Sequence, residues 1–183
     1  MRAIAIALKY AKGLFTVAKE LNKTKEFGEE LNQIKDLLTS MPEVLSALQN
    51  PIYPPDLKME IIEEILKSII KVSPEIERFL KLLVERRRIQ YIKEIVVMYQ
   101  ELLDEELNIA RGEVITAYPL SSEEKKELEE VLKEYLKKEV ILESKVDEEV
   151  IGGIKIKIGD LIFDGTLKTQ LNKMKEIIKG EVL

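Results

Sequence analysis

The chain has 183 residues, of which 45% are hydrophobic and 34% are charged, and its net charge is −5. It contains no histidine, cysteine or tryptophan, which removes the usual side chain for proton transfer near neutral pH, thiol nucleophiles, disulfides and thiolate metal sites. The acidic total argues against a general nucleic-acid binder, and no run approaches the roughly 18 apolar residues of a membrane span. The composition therefore favours a protein-binding structural protein over an enzyme, with no cofactor and no bound metal.

Apolar residues recur at helical spacing up to about residue 108 and predict six helices. Their apolar stripes run through residues 4–18, 27–38, 44–48, 61–69, 76–83 and 89–103. Residues 50–55 predict an extended break, because proline fixes φ and restricts the residue before it. Ser73-Pro74-Glu75 is typical of a capped start to the fifth helix. Short turns join the helices, so the sequence predicts a six-helix bundle.

The periodicity changes from 3.6 to 2 near Gly112, and we expect domains at residues 1–108 and 109–183. A capping box from Ser121 to Glu124 opens one helix, and Gly159-Asp160 suits a two-residue hairpin turn. The predicted strands are residues 113–118, 140–146, 154–158 and 161–163, and a last helix begins near residue 167. The second domain is thus predicted to be β-α-β-β-β-α, and the fold class of the whole chain α+β.

Helix one carries two apolar stripes that together cover more than half of its circumference. The first stripe is Ile4, Leu8, Ala11, Phe15 and Ala18, and the second is Ala3, Ala7, Tyr10, Leu14, Val17 and Leu21. A surface helix needs an apolar stripe of only about 100°. One stripe could face the core and the other a partner helix, but a helix at the centre of its own bundle would show the same pattern. The sequence leaves both alternatives open.

Three other motifs have structural explanations that compete with functional ones. Residues 86–88, Arg-Arg-Arg, fit a solvated turn at the negative end of helix five. The alternative function of the chain, a helical RNA-binding or regulatory adaptor, would use these arginines. Gly152-Gly153 fits a bulge better than a phosphate loop, since no P-loop lysine follows. Asp160 and Asp164 have no third ligand or base beside them, and Asp164 or Thr166 can cap the last helix.

Several short segments occur in a fixed order along nearly the whole chain. They are Tyr10-Ala11-Lys12-Gly13-Leu14-Phe15, Asn50-Pro51, Phe79-Leu80-Lys81-Leu82-Leu83-Val84-Glu85, Thr116-Ala117-Tyr118-Pro119-Leu120-Ser121, Val146-Asp147, Ile151-Gly152-Gly153-Ile154 and Gly159-Asp160-Leu161-Ile162-Phe163-Asp164-Gly165-Thr166. With these segments the sequence resembles the delta subunit of bacterial F-type ATP synthases, the counterpart of the mitochondrial oligomycin-sensitivity-conferring protein. It departs from the family at three positions. The family often has glycine at the position of Arg87, and many members have alanine at Gly13 and serine at Thr166.

The resemblance implies a non-catalytic stator connector. The N-terminal bundle would sit on the catalytic head and hold the N-terminal helices of alpha subunits in a groove between helices one and five. The C-terminal domain would bind the b subunits of the peripheral stalk. The protein would resist torque, so that rotation of the central stalk drives ATP synthesis. As part of the complex, it would lie peripherally on the cytoplasmic side of the inner (plasma) membrane.

The residues expected at these contacts combine the resemblance with the apolar stripes. Tyr10 and Gly13 match family positions on the alpha-facing side of helix one, and Leu82 matches one on helix five. The expected alpha-subunit contact comprises Ala3, Ala7, Tyr10, Gly13, Leu14, Val17, Glu75, Phe79 and Leu82. The expected stalk contact comprises Leu167, Leu171, Met174 and Ile178.

Overall fold

The computed structural model describes the backbone of residues 2–148 and 150–179 and the side chains of residues 3–148 and 150–175. These residues form eight α-helices, one short 3-10 helix and a four-stranded sheet, so the fold is α+β as predicted. None of the described helices is long and apolar enough to cross a membrane. The chain divides into two compact units between Leu103 and Asp104, rather than after residue 108.

The first unit is helical. Its helices are α1 (Arg2–Glu20), α2 (Thr24–Ser40), α3 (Pro42–Gln49), α4 (Pro55–Ser68), α5 (Pro74–Glu85) and α6 (Ile92–Glu106), whose last residues belong to the second unit. The sixth helix begins later than predicted, because residues 89–91 form a 3-10 turn before it. The core draws on every helix, and its fully buried side chains include Phe27, Leu48, Ile76, Leu80 and Tyr99.

Ser73 occupies the N-cap position of α5 as predicted, but its side chain does not cap the helix. Its hydroxyl donates to a carboxylate oxygen of Glu30 on α2 at 2.8 Å, and its backbone N–H donates to the same oxygen at 3.0 Å. A charge-assisted contact of this kind is stronger than a bond between neutral groups. The start of α5 is therefore tied to α2 rather than closed by its own cap.

The end of α5 adopts a Schellman motif. The N–H of Arg88 donates to the carbonyl of Leu83 at 2.7 Å, and the N–H of Arg87 donates to the carbonyl of Val84 at 3.0 Å. This geometry requires a left-handed residue, and Arg87 provides it with φ of +54°. Glycine is the usual residue there, because a side chain disfavours this conformation. The arginine triplet thus closes helix α5, in agreement with the structural explanation.

The second unit contains β1 (Ile109–Thr116), α7 (Ser122–Leu136), β2 (Glu139–Val146), β3 (Ile154–Ile158), β4 (Leu161–Asp164) and α8 (Leu167–Lys179). The strand order is β2-β1-β3-β4, with β1 and β2 parallel and the other pairs antiparallel. Helix α7 joins the parallel pair, as parallel strands need a crossover connection. Its inner side packs on one face of the sheet around a core of Val114, Leu132, Val140, Leu142, Ile156 and Ile158.

Strand β1 begins earlier than the predicted start at Glu113, and Gly112 lies inside it instead of at a boundary. A Cβ at residue 112 would lie 2.6 Å from the carbonyl oxygen of Lys157 and in still closer contact with Ile158. Glycine is needed at this position because β3 approaches β1 too closely for a side chain. The sequence pattern missed the first four residues of the strand because two of them, Ala110 and Gly112, are of types depleted in strands.

Two predicted local signals are present in the second unit. The hydroxyl of Ser121 accepts from the N–H of Glu124 at 3.2 Å, and a carboxylate oxygen of Glu124 accepts from the N–H of Ser121 at 2.9 Å, which completes the capping box.

The second signal is the cap of α8. The hydroxyl of Thr166 accepts from the N–H of Thr169 at 3.3 Å at the start of α8. Asp164 accepts from the hydroxyl of Thr166 at 2.7 Å, a bond that lowers the pKa of the Asp164 carboxyl. Asp164 therefore has a structural role.

We predict that Gly112→Ala destabilises the protein by about 2 kcal/mol, because the added methyl group overpacks the contact between β1 and β3. The free energy of unfolding from a urea titration followed by circular dichroism would measure the effect. Ser144→Ala, at an exposed position of β2, is the control and should change the value by less than about 0.5 kcal/mol. Equal stability of Gly112→Ala and the parent chain would contradict the packing argument.

Candidate partner-binding groove

A groove of about 690 Å³ runs between α1 and α5 in the helical unit. Its size falls within the roughly 300–1,000 Å³ of typical ligand pockets, but its open form suits an extended partner. We call it the α1–α5 groove. It is lined by Ile6, Lys9, Tyr10, Gly13, Leu14 and Val17 of α1, by Glu75, Arg78, Phe79 and Leu82 of α5, and by Arg88.

Two aromatic rings meet across the groove. Tyr10 of α1 and Phe79 of α5 pack edge to face, with ring centroids 6.4 Å apart and planes at 65°, an arrangement favoured by the quadrupoles of the rings. Phe79 is almost fully buried, whereas Val17 and Leu82 are exposed by 40% and 38%. The groove therefore has a fixed aromatic floor and leaves apolar side chains uncovered for a partner.

Gly13 leaves an open space in the groove wall. It lies in the middle of α1, with ordinary helical φ, and a Cβ there would have no neighbour within 4 Å. Glycine is thus not required by the packing of this chain, although it costs helix stability. The missing side chain lets another backbone approach α1 closely at this point.

Helix α5 is held in place on its other side by a salt-bridge network. Lys81 donates to Glu63 of α4 at 2.7 Å and to Glu77 of α5 at 2.9 Å. The hydrogen bond to Glu63 is the main reason that the pKa of Lys81 is raised, and the same bond lowers the pKa of Glu63. All three side chains are partly exposed, so the network orients α5 more than it stabilises the fold.

The charged residues of the groove are mostly basic. Lys9 on α1, Arg78 on α5 and Arg88 after α5 line it together with a single acid, Glu75. Charges at the rim of an interface act on association rate and specificity more than on affinity. This arrangement favours a partner that carries acidic residues beside an apolar stripe.

Seven of the nine predicted alpha-contact residues line this groove: Tyr10, Gly13, Leu14, Val17, Glu75, Phe79 and Leu82. The other two do not. Ala7 is fully buried within the helical unit, and Ala3 is partly buried outside the groove. The second apolar stripe of α1 is therefore not a free face along its whole length. On the first stripe Ala11, Phe15 and Ala18 are buried, but Ile4 is 56% exposed.

Four lining residues were not predicted: Ile6, Lys9, Arg78 and Arg88. Ile6, Tyr10, Gly13 and Val17 are spaced by four, three and four residues, which is a helical stripe of its own. Sequence periodicity contains this stripe but cannot separate it from its neighbours on a helix that is apolar on several sides. The basic residues could have been found by extending the stripes of α1 and α5 to their polar edges.

A second apolar surface lies on helix α8. The side chains of Leu167, Leu171 and Met174 are exposed by 46%, 62% and 59% and follow one another at helical spacing. The side chain of Ile178, the fourth predicted stalk residue, lies outside the described part of the chain. The described residues thus place three of the four on one uncovered stripe.

No cluster suited to metal binding occurs among the described residues, where no three acidic side chains come together as a ligand group. Asp164 accepts hydrogen bonds from Thr166, as described above, and Asp160 lies in the turn between β3 and β4. The two surfaces described above are suited to binding proteins and offer no constellation for catalysis.

Comparison with known proteins assigns the family. Residues 6–178 match the family described as ATP synthase delta (OSCP) subunit. The chain belongs to this family. A delta subunit of ATP synthase from Desulfotalea psychrophila is 37% identical over 180 residues, which cover 98% of this chain and 99% of that protein. The delta subunit from Clostridioides difficile is also 37% identical, over 172 residues that cover 93% and 94% of the two chains.

A solved structure also shares the fold. A chain in the mitochondrial ATP synthase hexamer of Toxoplasma gondii matches with a TM-score of 0.72 and 19% identity, over 94% of this chain and 96% of that chain. At this identity the likeness concerns the fold alone. Membership in the delta family confirms the resemblance predicted from the sequence and identifies the chain as a non-catalytic subunit type. The RNA-binding adaptor has no support from these relatives.

We predict that Gly13→Ala stabilises the protein by roughly 0.5–1 kcal/mol, because alanine favours the helix and its methyl group meets open space. Urea unfolding followed by circular dichroism would measure the change. Gly165→Ala, at a glycine outside the helices, is the control and should lack this helix-propensity gain. A destabilised Gly13→Ala protein would show that the groove wall is less open than described.

Proposed function

We propose that the protein is the stator connector of an F-type ATP synthase, which joins alpha subunits of the catalytic head to the b subunits of the peripheral stalk. The observation that carries the proposal is the α1–α5 groove, where residues from two helices far apart in sequence form one apolar surface. The six helices of the first unit would act as the bundle seated on the head. The connector hydrolyses nothing and works by resisting torque.

The proposed occupant of the α1–α5 groove is an amphipathic N-terminal helix of an alpha subunit. Helix-in-groove recognition uses a few apolar anchors of the ligand helix against an apolar floor. The paired rings of Tyr10 and Phe79 supply such a floor, and Val17 and Leu82 supply exposed apolar rims. The open space at Gly13 allows the ligand helix to approach α1 closely.

Charge would orient this occupant. Lys9, Arg78 and Arg88 outnumber Glu75 in the groove, so an alpha helix with acidic residues beside its apolar stripe fits best. Such pairs at a partly exposed rim guide association and exclude wrong partners. They also make the complex weaker at high salt.

The stalk contact is proposed for α8. Its exposed stripe of Leu167, Leu171 and Met174 would pack against helices of the b subunits. Separate contacts on the two units let one protein hold the head and the stalk at once. In this role the protein would lie on the cytoplasmic side of the inner (plasma) membrane, attached through its partners.

The groove proposal predicts that Leu82→Asp weakens binding of a synthetic alpha N-terminal peptide by at least about tenfold, because a charge would replace an apolar contact. Isothermal titration calorimetry with the full chain would measure the affinity. Leu82 is already partly exposed, so the variant should remain folded. Tyr10→Asp places a charge in the aromatic floor of the groove and should also weaken peptide binding.

Val97→Asp is the matched control for the groove. Val97 lies on α6, is 50% exposed and does not line the groove, so the same change of charge should leave peptide affinity within about twofold. Absence of saturable peptide binding by the parent chain would overturn the groove assignment.

The stalk proposal predicts that Leu171→Asp weakens binding of the soluble part of a b subunit by about tenfold. Asn172→Asp is its control, since it adds the same charge at an exposed neighbouring position about 100° around the helix axis. Surface plasmon resonance with the full chain would compare them. Equal loss of binding in both variants would assign the effect to charge and exclude a contact through the apolar stripe.

A further inference from the structure

A smaller pocket in the helical unit is separate from the functions proposed so far. It has a volume of about 250 Å³, below the roughly 300–1,000 Å³ of pockets for drug-sized ligands. It lies where the proline-rich loop before α4 and the start of α4 meet the turn after α5. We call it the Lys58 pocket. It is lined by Leu48, Gln49, Pro51, Tyr53, Pro55, Lys58, Val84, Arg87, Arg88, Ile89 and Gln90.

The charged lining residues of this pocket all have the same sign. Lys58, Arg87 and Arg88 are cationic, and none of the described lining residues is acidic. Within the described part of the chain, no carboxylate forms a salt bridge or side-chain hydrogen bond with any of the three. The acids nearest in sequence, Asp56, Glu60 and Glu85, are exposed and do not line the pocket. The pocket therefore collects positive charge without compensation.

Lys58 is the critical member of this group. Only 8% of the residue is exposed, and it is the one lysine in the buried set of the described chain. Burial, and then the nearby charge of Arg87, lower the pKa of Lys58. The stem of Lys58 is buried while its ammonium keeps contact with solvent, since the described residues include no fully buried side-chain nitrogen that lacks a hydrogen-bond partner. A bound anion would supply a counter-charge to the three cations that line the pocket.

The second cation, Arg87, reaches the pocket from a left-handed backbone conformation, which is unfavourable for a residue with a side chain. Arg87 has φ of +54° in the closing turn of α5, where glycine would be better accommodated. The third cation, Arg88, lines both this pocket and the α1–α5 groove. Lys58 and Arg87 line only the pocket, so their substitution separates the two sites.

We propose that the Lys58 pocket binds a phosphate-type oxyanion, held by Lys58, Arg87 and Arg88. A tetrahedral dianion accepts hydrogen bonds from several directions and so can satisfy three cations that belong to two different segments. A carboxylate carries one charge and pairs best with one planar guanidinium. The small volume suits orthophosphate itself or the terminal phosphate of a nucleotide whose remainder extends into solvent.

The test is thermal unfolding of the full chain with potassium phosphate against potassium chloride at equal ionic strength, followed by circular dichroism. With a dissociation constant of about 1 mM, about 10 mM phosphate should raise the unfolding midpoint by about 3 °C. Phosphate also stabilises proteins weakly without binding a site. The decisive quantity is therefore the phosphate-dependent shift of the unfolding midpoint in the parent chain compared with that in the variants.

Lys58→Met and Arg87→Gly should each abolish the phosphate-dependent shift. Both should fold at least as well as the parent, because the first removes a cation that lies near Arg87 while keeping the apolar stem of the side chain and the second relieves a left-handed backbone. Arg86→Gln is the matched control: Arg86 belongs to the same triplet but does not line the pocket, so the shift should remain. Binding of the alpha peptide in the groove should be unchanged in Lys58→Met, which separates failure of this proposal from failure of the stator proposal.

Two further titrations identify the source of the oxyanion. A larger shift with ADP than with orthophosphate assigns the site to a nucleotide phosphate, and an equal or smaller one assigns it to free phosphate. Either result supports the proposal. It is overturned if phosphate and chloride act alike, if acetate matches phosphate, or if the shift persists in Lys58→Met.

Discussion

The position of α1 in the helical unit depends on one buried side chain, Tyr99 of α6. Its ring packs edge to face on the ring of Phe15 of α1, with the ring centroids 5.2 Å apart. Its hydroxyl donates a hydrogen bond of 3.0 Å to the carbonyl of Thr24, at the start of α2. A Cβ at Gly28 of α2 would be in ordinary contact with this ring at 3.5 Å but would crowd Cδ2 of Leu103 at 3.0 Å. Burial raises the pKa of the Tyr99 hydroxyl. One residue therefore connects three helices.

The α1–α5 groove follows from this anchoring. With Phe15 held against Tyr99, the side of α1 that carries Tyr10 and Gly13 faces α5. Helix α5 is fixed by other contacts, at its N-cap residue Ser73 by Glu30 of α2 and on its α4 side by Lys81. Because each helix is held by contacts of its own, the groove is built into the helical unit. Such preorganisation lowers the entropy lost on binding, which suits a connector that must transmit force.

Element types followed from the sequence wherever local signals agree, as at the capping box of Ser121 or the alternating isoleucines of β3. They did not follow where tertiary contacts decide. Gly112 lies inside β1 because a neighbouring strand passes close to it, which a single segment cannot reveal. The groove was predictable only in part, because α1 is apolar on several sides. Periodicity identified its stripes, but only the packed helices show that Gly13 lines the groove while Ala7 is fully buried.

The distribution of charge has more consequences than its sum. The chain as a whole carries −5, yet the α1–α5 groove and the Lys58 pocket are both basic and share Arg88. At physiological ionic strength the Debye length is about 8 Å, so charges farther apart than this are largely screened. The net charge of the chain therefore has little effect on a bound partner, and the charges of nearby residues determine its electrostatic energy. An anionic partner would therefore meet favourable local charge at these two places. Because Arg88 lines both, the occupant of one site would act electrostatically on the other.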